Sequence, residues 1–470
     1  MSSFHRPILN LVRGPLALTA ALFSIIATGS AQTPALESIQ MLGGSGYDSV
    51  LSAVSDNAGN LYLLGSTQSP DFPSTKLYGK RAAAGVSLGD LFVAKIRLAD
   101  WSLVYSTIIG SAKPLGLAVD SVGNAYVAGS TALPDQFPAT PGAFRTQLTG
   151  YPQATFAIKL NRDTGGLVYS TLLTAGSTAA IAVDAMGQAY VTGIAAPATV
   201  PVTKGAYLTQ TDTRDLAFVL KLRSDAGGIV FASFLAKGAP PTPTAIAVDK
   251  DENVYVAGFS DDYVTAFPAT PGAVQTESAG APDAFVMKLA AAGDSLIYAT
   301  LLGGAGGDSA TFLSAGDDGS AYVAGYCDSG SPANPSKPFP TTSDAPYRKF
   351  QTFSGFFARL NASGTKLLFS THLTDQPQTP YSSAPLAMAV APGAFYFAYP
   401  SALTSGFFGP AVLDSFMVQA TGIVGSMRTA RSMGRPGFSP MFRPPDLLSV
   451  AGNSWSSATE VPSTARFPTL

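Results

Sequence analysis

A short sequence pattern recurs in this chain at an almost constant interval, and this repeat constrains the fold more than any other feature. The clearest copy covers residues 120–131 and reads Asp-Ser-Val-Gly-Asn-Ala-Tyr-Val-Ala-Gly-Ser-Thr. Each copy ends near a glycine, and these glycines stand 64, 64, 65 and 67 residues apart: Gly65, Gly129, Gly193, Gly258 and Gly325. Self-similarity at a fixed period indicates one small structural unit that is repeated and stacked on its neighbours.

Each copy of the pattern predicts a β-hairpin. Residues 115–119 and 125–129 are short apolar runs on either side of a Gly-Asn turn, which is typical of two antiparallel strands. Neither run alternates between apolar and polar residues, so we expect neighbouring sheets to cover both faces. A glycine suited to a positive φ stands in four of the turns, at Gly59, Gly123, Gly187 and Gly319. The other turn has Glu252 there, so we expect it to be built differently or to be strained.

Two further strands follow each hairpin, which makes four strands per repeat. In the first repeat they are residues 91–98 and 103–109, and similar segments recur in the next four repeats. Four short strands joined up and down are typical of one propeller blade. We interpret the second-strand tyrosine and the glycine three residues later as structural positions, and we expect this glycine to allow neighbouring sheets to approach closely. The tyrosines are Tyr62, Tyr126, Tyr190, Tyr255 and Tyr322.

The number of repeats predicts a ring. The period divides residues 32–470 into about seven units. We therefore expect an all-β fold, a single β-propeller of four-stranded antiparallel blades, with seven blades and with six or eight as alternatives. The repeats are clear over residues 36–373 and degenerate over 374–470, where residues 394–397 and 448–452 match the sixth and seventh units. Residues 39–42 resemble an isolated fourth strand, so we expect them to close the ring by pairing with C-terminal strands.

The N-terminus has the pattern of a signal peptide. Arg6 and Arg13 precede an apolar run over residues 16–27, and small residues follow it. This run is shorter than the roughly 20 apolar residues that span a bilayer, which disfavours the alternative of an uncleaved anchor. We expect cleavage after Ala31 and no transmembrane segment afterwards. The propeller domain over residues 32–470 is then exported, and is periplasmic, on the cell surface or extracellular.

Composition excludes several classes of function. Charged residues make up 12% of the chain and the formal net charge is −2, so no nucleic-acid partner is expected. Cys327 is the only cysteine, which rules out an intrachain disulfide; we interpret it as a buried packing residue, the alternative being a reactive thiol. His372 is the only histidine after residue 31, so a His-rich metal centre is excluded and we interpret it as an ordinary strand residue. We expect a monomer.

The repeat resembles the SBBP family, whose repeats are assigned to seven-bladed β-propellers in bacterial exported proteins. The resemblance rests on the pattern Asp-x-x-Gly-Asn-x-Tyr-Val-x-Gly-Ser-Thr and on a Phe-Pro-x-Thr motif that begins at Phe72, Phe137, Phe267 and Phe339. It covers residues 36–373 well. It implies a propeller, commonly on an exported or surface protein, and it implies no established catalytic residues. The chain departs from the pattern at Val200-Pro201 and at Gly316.

Loop lengths distinguish two faces of the predicted propeller. Connections between second and third strands are about 25 residues long, for example residues 66–90, whereas the other turns within a blade are short. In an up-and-down blade these long connections emerge on the same side as the links between blades. We call this side the long-loop face and treat it as the candidate binding face. We expect the phenylalanine of Phe-Pro-x-Thr to hold each loop onto its own blade; the alternative is a ring of ligand-contacting aromatic residues.

A basic residue recurs at one position of the third strand. We expect these side chains to lie along the blade surface with their charged groups in water, and the alternative is a ring of cations around a ligand. They are Lys95, Lys159, Lys221, Lys288 and Arg359.

Five aspartates of the long-loop face are candidate ligand-binding residues: Asp48, Asp71, Asp135, Asp262 and Asp308. Asp48 and Asp308 follow glycine-rich segments whose carbonyl oxygens would suit calcium, and the alternative is that they cap a turn before the first strand. Apart from this calcium hypothesis, no cofactor or metal is expected, and no set of residues forms a recognisable catalytic group.

These features favour a non-enzymatic binding or scaffold module that offers its long-loop face to a protein or glycan partner. The alternative is an extracellular carbohydrate-active hydrolase or lyase on a propeller scaffold. Such an enzyme would need two carboxylates about 5 to 10 Å apart in a pocket near the propeller axis.

Overall fold

The computed structural model describes residues 42–373, apart from gaps at 83–88, 212–215, 238–240, 261–266, 281, 329–336, 346 and 350–352, together with four strands between residues 387 and 429. The expected signal peptide lies outside the described residues. So do residues 39–41, which were expected to close the ring, and residues 448–452, which match the seventh unit.

Six β-sheets lie within the described residues, and each comes from one sequence repeat. Blade 1 contains β1 (Asp48–Ser55), β2 (Asn60–Thr67), β3 (Lys76–Tyr78), β4 (Asp90–Arg97) and β5 (Ser102–Ile109). Blade 2 contains β6 (Ala112–Val119), β7 (Ala125–Thr131), β8 (Ala154–Leu160) and β9 (Leu167–Leu172). Blade 3 contains β10 (Gly176–Val183), β11 (Ala189–Ala195), β12 (Leu216–Leu222) and β13 (Ile229–Phe234). Blade 4 contains β14 (Thr242–Val248), β15 (Val254–Ser260), β16 (Asp283–Leu289) and β17 (Leu296–Leu302). Blade 5 contains β18 (Asp308–Ala315), β19 (Ala321–Asp328), β20 (Phe353–Leu360) and β21 (Leu367–His372). Blade 6 contains β22 (Ala387–Ala391), β23 (Ala394–Ala398), β24 (Val418–Thr421) and β25 (Ser426–Thr429).

The four main strands of every blade follow chain order, and neighbours in the sheet are antiparallel. Blade 1 adds β3, which comes from the long loop and pairs in parallel with β5. Two 3-10 helices, Pro134–Gln136 and Pro197–Thr199, occupy the long loops of blades 2 and 3. The up-and-down order places the long loops and the links between blades on the same side, as the loop lengths predicted.

Successive blades pack face to face, which makes the fold an all-β propeller. One apolar cluster joins Tyr62 and Leu64 of blade 1 to Val127 and Phe156 of blade 2. Equivalent clusters join blade 2 to blade 3, blade 3 to blade 4, and blade 4 to blade 5. Both faces of these sheets are therefore buried, which explains why the hairpin strands do not alternate in sequence. The predicted four-stranded propeller is confirmed over the described residues; the seventh blade stays a prediction.

A β-bulge occurs at the same position of the first strand in blades 1 to 5. In blade 1 Val50 pairs with Gly65 and Ser52 with Leu64, so the first strand contains one residue more than the second strand at this point. The bulged residues are Leu51, Leu115, Ala179, Thr244 and Thr311. A bulge bends its strand and increases the local twist, so each blade carries the same bend in its first strand.

The glycine beside the bulge serves a contact within its own blade. A Cβ atom on Gly65 would lie 2.0 Å from the carbonyl oxygen of Ser49 and 2.5 Å from the ring of Phe92. On Gly129 it would meet the equivalent atoms at 2.3 and 2.5 Å. The expectation that this glycine lets neighbouring sheets converge is therefore wrong, because the bulged first strand and the third-strand ring are what occupy the space.

The hairpin turns have the backbone conformation that the glycine pattern predicted. Gly59, Gly123, Gly187 and Gly319 have φ values from +72° to +92°. Glu252 also has a positive φ, +63°, and its amide donates to the carbonyl of Asp249 at 3.0 Å. The fourth turn is thus built like the others, and it carries the strain of a side chain in the left-handed region.

Candidate functional site

The long loops are anchored on their own blades by the Phe-Pro-x-Thr phenylalanines. Phe137 stacks on Phe156 of β8 with the ring centroids 4.8 Å apart, and Phe72 packs on Phe92 of β4 at 4.5 Å. Phe267 and Phe339 make the same contact with the third strands of blades 4 and 5. These rings are therefore packing residues in all four blades, as expected, rather than a ring of ligand-contacting side chains.

The threonine of the same motif attaches the loop to the outer edge of the blade. The amide of Thr140 donates to the carbonyl of Ser170 at 2.9 Å, and the amide of Ser170 donates back to Thr140 Oγ1 at 3.0 Å. The same exchange joins Thr75 to Ser106 and Thr342 to Ser370. Each loop thereby satisfies backbone groups on the fourth strand that would otherwise be an unpaired sheet edge.

A third contact ties the long loops of blades 2, 3 and 4 to the next blade. The amide of Phe144 donates to the carbonyl of Ala226 in the turn between β12 and β13, at 2.7 Å. Tyr207 and Val274 make the equivalent bonds to Gly293 and Gly364. The long loops of blades 2 and 4 are therefore each held at three points, on two different blades.

The structure places the predicted site residues in separate regions of this face. Asp48 and Asp71 lie together in blade 1, where Ser45 donates to Asp71 Oδ1 and Gly44 donates to Asp48 Oδ2, both at 2.7 Å. Asp135 is exposed in the 3-10 helix of blade 2, and Asp308 is fully buried at the start of blade 5. Asp262 lies outside the described residues. The four described aspartates do not form one site, and Asp48 and Asp308 each accept a bond from their glycine-rich turn.

Sequence reasoning missed the neighbour of Asp308. Asp283 begins the third strand of blade 4, and its carboxylate is buried against the link that leads to Asp308. Burial, together with the nearby charges of Asp283 and Asp328, raises the pKa of Asp308 to about 8. Exposed fractions of 0% for Asp308 and 1% for Asp283 keep a polymeric substrate away from this pair.

A second buried cluster recurs on the opposite side, which carries the short hairpin turns and which we call the short-turn face. In blade 3, Asp184 Oδ2 accepts from the hydroxyl of Tyr190 at 3.0 Å and lies 3.3 Å from Lys221 Nζ. The ammonium group of Lys221 also lies 4.8 Å above the Tyr190 ring and 2.7 Å from Glu252 in blade 4. Desolvation and the charge of Asp184 raise the pKa of Tyr190 above its ordinary range.

The same arrangement of Asp, Tyr and Lys is present in blades 1, 2 and 4, and Arg359 packs on Tyr322 in blade 5. The expectation that these basic groups reach water is wrong for Lys95, Lys221 and Lys288, which are buried. Burial lowers the pKa of Lys95. Each of these three lysines also bonds to the next blade, Lys95 to Arg162, Lys221 to Glu252 and Lys288 to Gly319, so they join neighbouring blades and are not available to a ligand.

Cys327 and His372 are neighbours in blade 5, near the ends of β19 and β21. Both are buried, and Sγ of Cys327 lies 3.4 Å from Nδ1 of His372. Burial raises the pKa of the Cys327 thiol and lowers the pKa of His372 to about 4, so both groups are neutral at pH 7. A thiol in this state is not a nucleophile, and the pair fills space, as expected from the sequence.

Within the described part of the chain, no three His, Cys, Asp or Glu side chains are grouped as a metal site. Over the same residues no helix has the length and apolar character that crossing a membrane requires.

One known protein family matches part of the repeat region. The SBBP beta-propeller repeat family matches residues 104–132, which confirms the resemblance. No curated protein matches the chain.

Several solved structures are similar to this chain at low sequence identity. Hydrazine synthase of Kuenenia stuttgartiensis is 11% identical, with 86% of this chain and 99% of that chain covered and a TM-score of 0.42. The Cps50 (Swd1) beta-propeller domain of Myceliophteria thermophila is 10% identical, with 84% and 89% covered and a TM-score of 0.42. A protein of unknown function from Dyadobacter fermentans is 12% identical, with 78% and 94% covered and a TM-score of 0.40.

Proposed function

We propose that this chain, a β-propeller protein that carries the SBBP repeat, is an exported, non-enzymatic binding module whose long-loop face holds a protein or glycan partner. The observation that supports the proposal is the anchoring of the long loops, at three points in blades 2 and 4. A loop fixed by a ring stack, a strand-edge contact and a bond to the next blade loses little conformational entropy when it binds. A face made of such loops is preorganised for recognition.

The exposed residues of this face suit a binding role. Tyr47, in the segment that leads into β1, is 42% exposed, and Leu133, beside the 3-10 helix of blade 2, is also 42% exposed. Asp135 is exposed next to Leu133. Tyrosine contributes a large contact area at a low entropic cost, and a nearby carboxylate adds hydrogen-bond acceptors.

A hydrolase or lyase finds less support. The carboxylate pair that the fold brings together, Asp283 and Asp308, is buried beneath the link between blades 4 and 5. Acid and base groups must reach the scissile bond of a substrate, and these two cannot do so without displacement of that link.

The proposal is tested with two matched double variants on opposite faces. The first combines Tyr47→Ala with Asp135→Lys on the long-loop face, and the second combines Met186→Ala with Asp251→Lys on the short-turn face. All four residues are exposed, so both proteins should fold. Binding to a glycan array and capture of envelope proteins should weaken about tenfold or more in the first variant and remain unchanged in the second. Loss of binding in the second variant alone would contradict the proposal.

Export is tested separately. A full-length chain expressed in a bacterial host should be processed after Ala31, and N-terminal sequencing of the recovered protein identifies the cleaved bond. An intact Met1 on protein recovered from the cytoplasm would contradict export without affecting the binding proposal.

A further inference from the structure

The turn between the third and fourth strands makes the same contact in blades 2 to 5. One residue of this turn has a positive φ and lies against an aromatic ring from the fourth strand of the preceding blade. A Cβ atom on Gly165 would lie 2.5 Å from the ring of Tyr105, and a Cβ atom on Gly293 would lie 2.2 Å from the ring of Phe231. The residues at this position are all small: Gly165, Ala226, Gly293 and Gly364.

Blade 1 has a tryptophan at this position. Trp101 has a φ of +57°, close to the +64° of Gly165. Both turns close on a partner five residues later, Arg97 on Ser102 and Asn161 on Gly166. Because the two backbones turn in the same way, the Cβ atom of Trp101 points to the place that a ring of the preceding blade occupies elsewhere. Trp101 is 38% exposed. The blade that packs on this side of blade 1 must therefore have a smaller residue there.

The same side of blade 1 carries an apolar cluster in which no second described blade takes part. The cluster includes Leu63, Phe92 and Ile108 of blade 1, and Leu42 is the described residue from outside the blade that packs on it. The apolar clusters at the following four boundaries each join two blades. Leu42 therefore indicates which segment of the chain packs on this face.

The segment after Leu42 has the same contacts as the link between blades 4 and 5. The amide of Gly44 donates to Asp48 Oδ2 at 2.7 Å, and the amide of Gly304 donates to Asp308 Oδ2 at 2.7 Å. A second pair of equivalent bonds ties each link to the end of the second strand, from the amide of Gln68 to the carbonyl of Tyr47 and from the amide of Asp328 to the carbonyl of Gly307. Residues 43–47 are therefore a link that follows a fourth strand.

This link sets the register of the residues that precede it. Leu42 corresponds to Leu302, the last residue of β17, so residues 36–42 correspond to the whole of β17. In this register Ser38 corresponds to Tyr298, whose ring lies against the turn of blade 5. A serine has no ring to place against the turn of blade 1. The large and the small residue have thus exchanged places at this boundary.

We propose that residues 36–42 form the fourth strand of the blade that packs on blade 1, and that the indole of Trp101 packs over Ser38. The exchange keeps the volume at the boundary nearly constant, since a large residue of the turn replaces a large residue of the strand. It also makes the contact specific, because a fourth strand with an aromatic ring at this position would clash with the indole. The pairing expected from the sequence concerned the edge of this strand, whereas Trp101 fixes its face and its register.

The test exchanges the two residues in the full chain. Ser38→Tyr places a ring against the indole and Trp101→Gly leaves a gap, so each should lower the melting temperature by about 3 °C or more. The double variant restores the arrangement of the other boundaries and should melt at a higher temperature than either single variant. Losses that simply add in the double variant would overturn the proposal.

Glu37→Tyr is the matched control. Glu37 corresponds to Ile297, which is 42% exposed, so the proposed register directs the side chain of residue 37 into solvent. Glu37→Tyr should leave the melting temperature unchanged and should show no coupling to Trp101→Gly. Coupling of Trp101 to residue 37 in place of residue 38 would overturn the register.

Fluorescence gives a readout that changes neither residue of the contact. The chain has two tryptophans, so in Trp455→Phe the emission reports Trp101 alone. An indole packed over Ser38 should be protected from acrylamide in the folded protein and should be quenched after unfolding in urea. Equal quenching of the folded and unfolded protein would overturn the proposal. Protection that disappears as a dimer dissociates on dilution would also overturn it, because the strand would then come from a second copy of the chain.

Discussion

The hydroxyl of Tyr62 in blade 1 lies 2.7 Å from the carbonyl oxygen of Gly123 in blade 2. A Cβ atom on Gly123 would stand 3.0 Å from that hydroxyl, and Gly123 has a φ of +92°. The tyrosine of one repeat and the turn glycine of the next therefore form one contact. Two residues 61 positions apart are required together, and this explains why both recur with the same period.

The phenol groups of this contact should be worth measurable stability. Tyr255→Phe removes bonds to Asp249 at 2.9 Å and to Gly319 at 2.7 Å, and should lower the free energy of unfolding by about 1 to 2 kcal/mol. Tyr298→Phe is the control, since its buried hydroxyl has no hydrogen-bond partner among the described residues and its loss should be neutral or stabilising. Urea denaturation of both variants measures the difference, and equal effects would show that the hydroxyl contact contributes nothing.

The glycine beside the bulge should not tolerate a methyl group. Gly129→Ala places a Cβ atom 2.3 Å from the carbonyl oxygen of Lys113 and 2.5 Å from the Phe156 ring, and should destabilise the protein by about 3 kcal/mol or prevent folding. At Gly228 the corresponding Cβ would meet only the flexible end of Arg223 at 3.3 Å, so Gly228→Ala should change stability by less than about 1 kcal/mol. Thermal unfolding distinguishes the two, and a fully stable Gly129→Ala would contradict the bulge geometry.

Glu252 combines a strained backbone with an ion pair, and substitution separates them. Its φ of +63° costs about 1 kcal/mol, whereas its bond to Lys221 is partly screened because the carboxylate is 41% exposed and Asp184 remains beside Lys221. Glu252→Gly should therefore raise the free energy of unfolding slightly. Glu252→Ala keeps the strain and loses the pair, so it should lower it. If both variants are destabilised equally, the positive φ at this position contributes no measurable strain.

His372 should make the protein sensitive to acid. Burial lowers its pKa to about 4, below the unfolded value of 6.5, so the unfolded chain takes up a proton first as the pH falls. Its contribution is complete above pH 6.5 and is lost between pH 6.5 and about 4. Relative to His372→Asn, the unmodified chain should lose about 2 to 3 kcal/mol of stability between pH 7 and pH 4. The difference between the two proteins is measured by urea denaturation at each pH, and a difference that does not change with pH would disprove the assignment.

Acid should also weaken the clusters of the short-turn face. Bonds from Asn253 and Tyr255 and the charge of Lys288 outweigh desolvation and hold the pKa of Asp249 below its ordinary value. The stability that these bonds supply is present above the unfolded pKa and is lost as the pH falls through the folded one. Asp249→Asn should therefore reduce the loss of stability below pH 4. Urea denaturation at a series of acidic pH values measures this loss in both proteins, and an identical loss in Asp249→Asn and the unmodified chain would contradict the assignment.

Local features were predictable where the interacting residues lie within one repeat. The turn glycines, the four strands of each blade and the stacking of Phe137 on its own blade all depend on neighbours in the same 64-residue unit. Repetition in register identifies such positions from the sequence. The strained turn at Glu252 was also predictable, because a single residue departs from an otherwise constant position.

Contacts between blades were not predictable from the same pattern. The burial of Lys221 depends on Glu252 in the next blade, and the pairing of Asp283 with Asp308 depends on a link that brings two strand ends together. The sequence around these residues does not predict their burial, since a lysine in a strand or an aspartate before a strand can equally be fully exposed. The sequence by itself determined the repeat, the blade and the sidedness of the long loops. Only the tertiary structure decided which charged side chains are buried, because their burial depends on the stacking of one blade against the next.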